Sequence, residues 1–407
     1  MPAGLYSIAR TCTWNINCSG IEIAGAGIGD RDTPTSLGTE IGVDASGSLP
    51  AIQVSAAAHP GGNFAIGFSL HDLAMVQGGD SVNFRTGPFI DITSFEHVSL
   101  HNLYLYATCI GVRVTGGQSV YITNVTNHAY KPGANCHAFY LSGNETGISG
   151  PGGSGPFTLD IVKFQNVITD GPDQGSCYRI ADRVHTVWWN NTTCEALGSA
   201  IKSDCRAMNS AFKCPGFFTL DDFEAEYFGT RAENLIDLTD TVAGFKMTQG
   251  WLRGVNGGNF SNNLISVQQG RFTSAGSITT VISDSWLKGS GGDSILINAP
   301  GAVTITGNHI YGSAGFNSNL GAITLAGNVK GATITGNVLC GGDWLGDVSW
   351  QPNAGVRILS GADYVTVSGN AFQGDVNPPA GKHNGCVSGV ANASGGTHIS
   401  IANNVGS

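Results

Sequence analysis

A short phrase recurs along the chain and limits the folds that it can adopt. In the C-terminal third it reads Val303-Thr-Ile-Thr-Gly-Asn308, and it returns at residues 332–337, 365–370 and 399–404. Each copy begins with an apolar–polar–apolar triplet, the period-two pattern of a strand with one buried face. Each then reaches an asparagine, a residue that tolerates the left-handed conformation of a tight turn. The phrase therefore predicts a series of short strands, each closed by a turn.

The same phrase recurs in degraded form through the rest of the chain. Neighbouring copies are separated by about 22 to 42 residues, which excludes arrays of nearly constant repeat length such as leucine-rich or ankyrin repeats. The degraded copies begin at Val98, Val120, Val162, Val187, Phe218, Phe245 and Val281.

Two further strands are predicted in each repeat. One follows the asparagine directly, as in residues 103–106 and 223–226, and another comes after a loop of variable length, as in residues 112–114 and 139–141. A single turn of this kind cannot bury its own apolar face, so stacked neighbours supply the core. We therefore predict an all-β fold, a parallel β-helix of three-strand coils with an asparagine ladder. Its expected hand is right, as for other parallel crossovers.

The repeats extend through the whole chain, which predicts one solenoid domain over residues 1–407. Residues 23–62 and 142–157 are rich in Gly, Ser, Pro and Thr, and we predict long surface loops there. Such loops either hang between strands or form the walls of a binding groove.

Composition agrees with many short strands and excludes several classes of protein. The chain has 60 glycines but 4 methionines, and charged residues make up 12%, which leaves few of the residues that build long amphipathic helices. The net charge of −10 argues against a nucleic-acid partner. The sequence has no apolar run of about 18 residues that would insert into a membrane. Residues 1–10 lack the pattern of a signal peptide.

The ten cysteines show no zinc-type spacing, and no His-rich cluster predicts a metal site or a cofactor. Cys177, Cys194 and Cys340 fall within strand-like runs and are interpreted as small buried thiols. Two sequence-local pairs are open alternatives for disulfides: Cys12 with Cys18, and Cys205 with Cys214.

The start of the chain resembles a known superfamily. Residues 2–8 read Pro-Ala-Gly-Leu-Tyr-Ser-Ile, and residues 20–27 read Gly-Ile-Glu-Ile-Ala-Gly-Ala-Gly. Together with the asparagine column, they are similar to the opening strand, first coil and asparagine ladder of pectate-lyase-superfamily β-helices. That superfamily includes pectate lyases, polygalacturonase-like hydrolases and bacteriophage tailspike depolymerases, and its catalytic residues differ between families. The resemblance implies the fold and a polysaccharide partner, and it assigns no catalytic residue.

Within this superfamily the chain most resembles the tailspike depolymerases. It starts at a first coil, ends inside a coil and lacks a signal peptide, as expected of a virion protein released by lysis. A domain of a secreted enzyme fits the same features. The resemblance implies an extracellular or virion-tail location and a homotrimer.

Equivalent positions of stacked coils lie about 4.8 Å apart, and one outward column is enriched in cations. It occupies the centre of the third strand of each coil. Arginine and lysine would hold carboxylate-bearing sugars there, and tyrosine would stack on a pyranose face. An ordinary solvated ladder is the alternative. The column comprises Arg113, Tyr140, Arg179, Lys202, Asp237 and Ser266.

A second outward column has carboxylates on three successive coils, at Asp170, Glu195 and Glu226. Stacked like charges repel one another, which raises at least one carboxyl pKa and suits a general acid. Exposed acids that fan apart, or that pair with Arg253, are the alternative. The full column comprises Tyr106, His128, Asp170, Glu195, Glu226, Arg253, Lys288 and Tyr311.

A second group of candidates consists of two acids and two tryptophans. Asp222 occupies the ladder position, where capping a turn is the interpretation, and Asp221 projects outward beside it. Trp251 and Trp286 fall at equivalent positions of adjacent coils, so at least one is expected to be exposed. A sugar platform and ordinary core packing are both open for these rings.

The columns predict a polysaccharide depolymerase, a glycoside hydrolase acting on a bacterial capsular polysaccharide or exopolysaccharide. The alternatives are a polysaccharide lyase with Lys202 or Arg179 as the base, and a non-catalytic receptor-binding β-helix. The predicted catalytic acids and bases are Asp170, Glu195, Glu226 and Asp237. The predicted sugar-binding residues are Arg113, Tyr140, Arg179, Lys202, Arg253 and Trp251.

Overall fold

The computed structural model describes most of the chain, and the described residues divide into two compact units. The first contains the described residues up to Leu197, with Pro215, and the second contains the others from Gly198 onward. The structure describes residues 1–8, 12–16, 20–28, 38–44, 47–56, 65–78, 86–106, 109–129, 133, 135–143, 158–203, 215–229, 233–239, 244–256, 259–268, 278–312, 319–341, 353–372 and 386–406.

The described part of the first unit contains twelve strands. They are β1 (Gly4–Ile8), β2 (Cys12–Ile16), β3 (Ile21–Ala24), β4 (Thr39–Asp44), β5 (Ile52–Ala56), β6 (Ala65–Gly78), β7 (Pro88–Tyr106), β8 (Ile110–His128), β9 (His137–Ser142), β10 (Leu159–Gly171), β11 (Ser176–Ile180) and β12 (Val184–Ala196).

Within the first unit, equivalent strands of neighbouring coils pair in parallel. β6 pairs with β7 so that Phe68 lies opposite Val98 and Leu70 opposite Leu100. β7 pairs with β8 in the same manner, and β10 lies between β8 and β12. The long strands β7 and β8 extend through the tight asparagine turn, so each contains segments that the sequence predicts as separate strands.

The described part of the second unit has the same architecture. Its strands are β13 (Ser199–Ser203), β14 (Phe217–Tyr227), β15 (Ile236–Thr239), β16 (Gly244–Thr248), β17 (Trp251–Arg253), β18 (Val255–Asn256), β19 (Asn259–Phe260), β20 (Ile265–Gln268), β21 (Thr279–Ser283), β22 (Trp286–Lys288), β23 (Ile295–Asn298), β24 (Val303–Thr306), β25 (His309–Tyr311), β26 (Gly321–Leu325), β27 (Lys330–Thr335), β28 (Val338–Gly341), β29 (Ala354–Ile358), β30 (Asp363–Ser368), β31 (Ser388–Asn392) and β32 (Ile399–Ala402).

The three-strand coil is most regular in the second unit. β24, β25 and β26 pair in parallel with β27, β28 and β29, respectively. Val303 lies opposite Ala332 and Ile305 opposite Ile334, so the apolar positions of the repeated phrase coincide. β18 and β19 form a separate antiparallel pair. The structure thus confirms the parallel β-helix predicted from the repeat, whereas a single domain over residues 1–407 stays a prediction. The described residues form no helix, and this part of the chain therefore contains no helix long and apolar enough to cross a membrane.

Equivalent apolar side chains stack inside each unit to form the core. Val98, Val120, Val162 and Val187 form one column in the first unit, and all four are completely buried. Each such side chain contributes about 1.5–3 kcal/mol through burial. Beside this column lies a cluster of aromatic rings with centroids 4.9–5.8 Å apart: Phe139, Phe164, Tyr178 and Trp189.

An outer ladder of asparagines closes the tight turns of the first unit. Asn102, Asn124, Asn166 and Asn191 all have positive φ, between 49° and 53°, as the sequence predicts for this turn. The side-chain amide of each of the last three donates to the side-chain oxygen of the preceding asparagine, at 3.2, 3.0 and 2.8 Å. The ladder therefore links neighbouring coils at the surface.

A second, inner ladder occurs in the C-terminal part, where the predicted left-handed asparagine is wrong for three of the four copies of the phrase. The left-handed residues of those copies are Gly307, Gly336 and Gly369, with φ of 69°, 67° and 65°, whereas the fourth copy has Asn403 in this position, with φ of 54°. The asparagine comes one position later and points into the core. Asn337 is 1% exposed: its amide donates to the carbonyl oxygen of Ile305 at 2.9 Å, and its Oδ1 accepts from the Asn308 backbone at 2.9 Å.

The prediction of one long surface loop over residues 23–62 is also wrong. Residues 39–44 and 52–56 form strands β4 and β5, which pair in parallel with β6 and β7. The reason is the period-two alternation of Ile41 with Val43 and of Ile52 with Val54, which buries these side chains despite the glycine-rich surroundings. Nearly all of the second predicted loop, residues 144–157, lies outside the described residues.

Three disulfides join described cysteines, so the interpretation of Cys177, Cys194 and Cys340 as thiols is wrong. The partners are 17 to 46 residues apart in sequence, and coil stacking rather than local spacing brings them together. The two sequence-local pairs involve side chains outside the described residues. The disulfides are Cys109–Cys136, Cys177–Cys194 and Cys340–Cys386.

Asn337→Ala is expected to lower the free energy of unfolding by about 2 kcal/mol or more, because each buried polar group left without a partner costs about 1–3 kcal/mol. Asn124→Gly in the outer ladder is the matched control. Glycine accepts the left-handed turn and water replaces the lost contacts, so its cost stays below about 1 kcal/mol. Urea unfolding followed by circular dichroism measures both changes. Equal losses would contradict the distinction between the two ladders.

Candidate functional site

The predicted cationic column of the third strands is in register within each unit. In the first unit, Arg113 lies opposite Tyr140, and Tyr140 lies opposite Arg179. In the second unit, Lys202 lies opposite Asp237, and Asp237 lies opposite Ser266. Asp237 accepts a hydrogen bond from the Thr239 hydroxyl at 2.8 Å.

Arg113 has a partner that the sequence does not reveal. Its Nε and Nη2 donate to the two carboxylate oxygens of Asp91, on the preceding coil, at 2.8 and 2.7 Å. These bonds to a nearly buried carboxylate raise the pKa of the Arg113 guanidinium. Arg113 is therefore a fixed cation whose orientation is set by the coil beneath it.

The carboxylate column of the first unit contains a tightly held pair. Tyr106, His128, Asp170 and Glu195 lie opposite one another on successive coils, as predicted. The Nδ1 atom of His128 lies 2.5 Å from Oδ2 of Asp170, and both side chains are largely buried, at 9% and 14% exposed. The Tyr106 ring meets the His128 ring edge-on at 5.9 Å. Glu195 is exposed at the end of this series.

The same column in the second unit begins with an ion pair. Glu226 lies opposite Arg253, which lies opposite Lys288, and Lys288 lies opposite Tyr311. Nη1 of Arg253 approaches Oε1 of Glu226 at 3.3 Å. Pairing of the acid with Arg253, one of the alternatives drawn from the sequence, is therefore present.

A parallel column of aromatic side chains lies two residues before this one on the same strands. Trp251 lies opposite Trp286, which lies opposite His309. Trp286 is 55% exposed, and its ring stacks on His309 with centroids 5.4 Å apart. Nδ1 of His309 lies 2.9 Å from the hydroxyl oxygen of Tyr311. We call Trp251, Trp286, His309 and Tyr311 the aromatic platform; the exposure predicted for at least one tryptophan is confirmed.

The column of the aromatic platform begins with Glu224, which sequence reasoning missed. Glu224 lies opposite Trp251 and precedes Glu226 by two residues on β14, so both carboxyls emerge from one face of that strand. Desolvation, followed by the charges of Glu226 and Asp222, raises the pKa of the Glu224 carboxyl. The sequence Phe223-Glu-Ala-Glu226 already shows two acids at alternate positions of one strand. The prediction considered acids at equivalent positions of successive coils and therefore did not include Glu224.

The remaining predicted residues have local structural roles. Asp222 has φ of 53°, which confirms that it occupies the turn position. Asp221 accepts a hydrogen bond from the Thr248 hydroxyl at 2.9 Å. Trp189 is completely buried, whereas the ring of its neighbour Trp188 lies under the ammonium group of Lys163 at 4.5 Å. In the described part of the chain, the group suited to a metal ion is His71, Asp72 and His101, on β6 and β7.

Comparisons with known proteins identify the fold. No family model and no curated protein sequence matches the chain. The A-module of mannuronan C-5 epimerase AlgE6 from Azotobacter vinelandii is similar in structure, with a TM-score of 0.57 and 15% identity over 100% of this chain and 89% of that one. Tailspike protein 3 of bacteriophage CBA120 is similar with a TM-score of 0.60 and 11% identity; this chain is covered fully and spans 57% of the tailspike. At these identities the likeness shows the shared β-helix fold.

Glu224→Gln is expected to raise the thermal stability at neutral pH, and Glu226→Gln to lower it. Because the folded-state pKa of Glu224 is raised, its ionised form disfavours folding above the unfolded-state pKa, and the glutamine removes that effect. Glu226→Gln removes a surface ion pair, which costs less than about 1 kcal/mol. Melting temperatures measured from pH 3 to pH 8 test this, since the gain of Glu224→Gln should vanish as the wild-type carboxyl becomes protonated. A loss of stability at pH 7 in Glu224→Gln would contradict the assignment.

Proposed function

We propose that the protein binds a polysaccharide along the outer face of its second unit and hydrolyses glycosidic bonds, with Glu224 as general acid and Glu226 as general base. The observation that supports this most strongly is a pair of carboxylates on one strand at the end of an exposed aromatic platform. Similarity in fold to a tailspike and to an epimerase named for mannuronan agrees with a polysaccharide partner.

The aromatic platform supplies a surface for sugar rings. Aromatic faces pack against the apolar C–H faces of pyranoses, and burial of that apolar area contributes about 25 cal/mol per Å². Trp286 is exposed and is held flat by its stacking on His309. Because the rings come from successive coils, they line up along the solenoid axis, the direction in which an extended chain of sugars would bind.

The two glutamates have the separate roles that acid–base hydrolysis needs. Glu224, whose pKa is raised, would keep a proton and give it to the glycosidic oxygen as the bond to the anomeric carbon breaks. Glu226, paired with Arg253, would accept a proton from the water whose oxygen attacks that carbon. Cα atoms two residues apart on a strand are separated by about 6.6 Å, and carboxyl groups about 6.5–9.5 Å apart are typical of inverting enzymes.

The other predicted residues are retained as candidates. Candidate contacts for acidic sugars are Lys202 in the second unit and, on the first unit by itself, Arg113, Tyr140 and Arg179, of which Arg179 is only 8% exposed. A uronate-containing or otherwise anionic glycan is therefore the proposed substrate class. Asp170, held by His128, is the second choice for an acid or base. Glu195 and Asp237 are also retained as candidates.

The disulfides support a place of action outside the cytoplasm. The described residues contain three of them, and such bonds persist in oxidising surroundings such as the cell exterior or the surface of a virion. Assembly as a homotrimer and attachment to a phage tail belong to the same proposal, through the likeness in fold to a tailspike.

A panel of bacterial capsular polysaccharides and exopolysaccharides tests the activity, with reducing ends and ultraviolet absorbance both recorded. Wild type should release reducing ends without absorbance. Glu224→Gln and Glu226→Gln should each lose about 10²–10⁴-fold in kcat, the usual contribution of a general acid or base. Glu40→Gln, an exposed glutamate of the first unit, is the control and should leave the rate unchanged.

Other outcomes of this assay would contradict parts of the proposal. Absorbance from unsaturated products would indicate a lyase and move the chemistry to Lys202 or Arg179. Activity lost in Asp170→Asn but retained in Glu224→Gln would move the acid to the first unit. Glycan binding without any cleavage across the panel would favour a receptor-binding β-helix.

Trp286→Ala is expected to weaken binding of the cleaved glycan by up to about tenfold, the effect of losing one stacked ring. Tyr364→Ala is a matched control, because Tyr364 is equally exposed, at 59%, and stacks on a histidine, His398, away from the platform strands. Affinity electrophoresis in gels containing the glycan measures both variants. Equal retardation of the two would show that the platform does not bind the sugar.

A further inference from the structure

The outer asparagine ladder of the first unit ends on a carboxylate. The amide of Asn102 donates to Oδ1 of Asp72 at 2.9 Å, and Asp72 occupies the same left-handed turn position, with φ of 58°. The residue before Asp72 is His71, and the residue before Asn102 is His101. The two histidines lie opposite each other on β6 and β7, so adjacent coils place two imidazoles at one point of the ladder.

Three potential metal-binding side chains converge at this point, and the carboxylate of Glu22 contacts one of them. Nδ1 of His71 lies 2.7 Å from Oδ2 of Asp72, and its Nε2 lies 2.8 Å from Oε1 of Glu22. The His101 ring is stacked on the His71 ring, with centroids 4.4 Å apart and planes 9° from parallel. One potential ligand atom from each of His71, Asp72 and His101 lies within 4.8 Å of the others.

Hydrogen bonds from outside this group fix the side chains that would hold an ion. A divalent cation would take an imidazole nitrogen from each histidine and Oδ2 of Asp72, while the Asn102 amide holds Oδ1 of Asp72. Glu22 contacts the other nitrogen of His71, at 2.8 Å, as the outer carboxylate of a metal-binding histidine does.

We infer that His71, Asp72 and His101 bind a divalent transition-metal ion of the zinc class, with water in the remaining position. Two imidazoles, one carboxylate and a water form a ligand set that Zn²⁺ accepts in tetrahedral geometry, at about 2.0–2.2 Å from each atom. Ligand atoms of such a site lie about 3.4 Å apart, so atoms up to 4.8 Å apart need to converge by about 1.4 Å, which rotation of the half-buried His101 side chain can provide.

The ion would have a structural role. His71 and Asp72 are on β6 and His101 is on β7, so one ion would join two successive coils, and Glu22 of β3 would be linked to it through His71. A coil cannot bury its own face, so a bond between neighbouring coils adds to the stability of their stacking. The site lies on different strands from the aromatic platform, so this inference does not depend on the proposed hydrolase.

Calorimetric titration of the chelator-treated full-length protein with ZnCl2 tests the inference. Wild type should bind one equivalent tightly, and its melting temperature should rise with Zn²⁺. Asp72→Asn is the decisive variant, because asparagine keeps the left-handed turn and the ladder bond but removes the charge. Its affinity, and that of His101→Gln, should fall at least about tenfold, the smallest loss typical even of an outer-shell change.

His185→Gln is the matched control. His185 also contacts a carboxylate, with Nδ1 2.9 Å from Oδ1 of Asp160, and it is outside the proposed ligand set. Its Zn²⁺ affinity should equal that of wild type. Co²⁺ provides a second readout, since the visible absorption of a tetrahedral site should appear in wild type and be lost in Asp72→Asn. Absence of a saturable one-equivalent site in wild type, or equal affinity in wild type, Asp72→Asn and His101→Gln, would overturn the inference.

Discussion

In-register stacking of parallel coils is the constraint on which the rest of the structure depends. Side chains alternate in direction along a strand, so a column that is buried fixes the columns on either side of it as exposed. Leu252, Leu287 and Ile310 stack inside the second unit, and their neighbours Trp251, Trp286 and His309 consequently line up outside. The surface proposed to bind a polysaccharide is thus a consequence of how the core packs, and the same rule places His71 beside His101.

The stacking rule also explains how much the sequence could predict. The repeated phrase revealed both the strand period and the register, so the fold and the pairing of Arg113 with Tyr140, or of Arg253 with Lys288, were predictable from columns alone. Apolar residues at every second position identify equivalent positions of successive coils, provided that variable loop lengths do not displace the alignment of those coils by a residue. The same reasoning predicted that at least one of Trp251 and Trp286 is exposed, and the structure shows that Trp286 is.

Two kinds of feature could not be predicted from the sequence. One is a contact between side chains of different coils, and the other is a shift of one residue in the position of the turn. Asp91 and Arg113 meet across two adjacent coils, and each disulfide joins cysteines that are 17 or more residues apart in sequence. The glycine before Asn337 takes the turn position, which moves the asparagine by one residue and so from the surface into the core. Glu224 was not predicted because its relation to Glu226 runs along a strand, whereas the predicted columns run across strands. The candidate site is therefore defined by neighbours along one strand as well as by neighbours on adjacent strands.

The most direct test of the account is a crystal structure of Glu224→Gln with an oligosaccharide from the glycan that the wild-type protein cleaves. The variant should bind the oligosaccharide without cleaving it. The account predicts sugar rings lying against Trp251 and Trp286, with a glycosidic oxygen within hydrogen-bond reach of residue 224. An oligosaccharide bound instead along Arg113, Tyr140 and Arg179, with the platform empty, would contradict it.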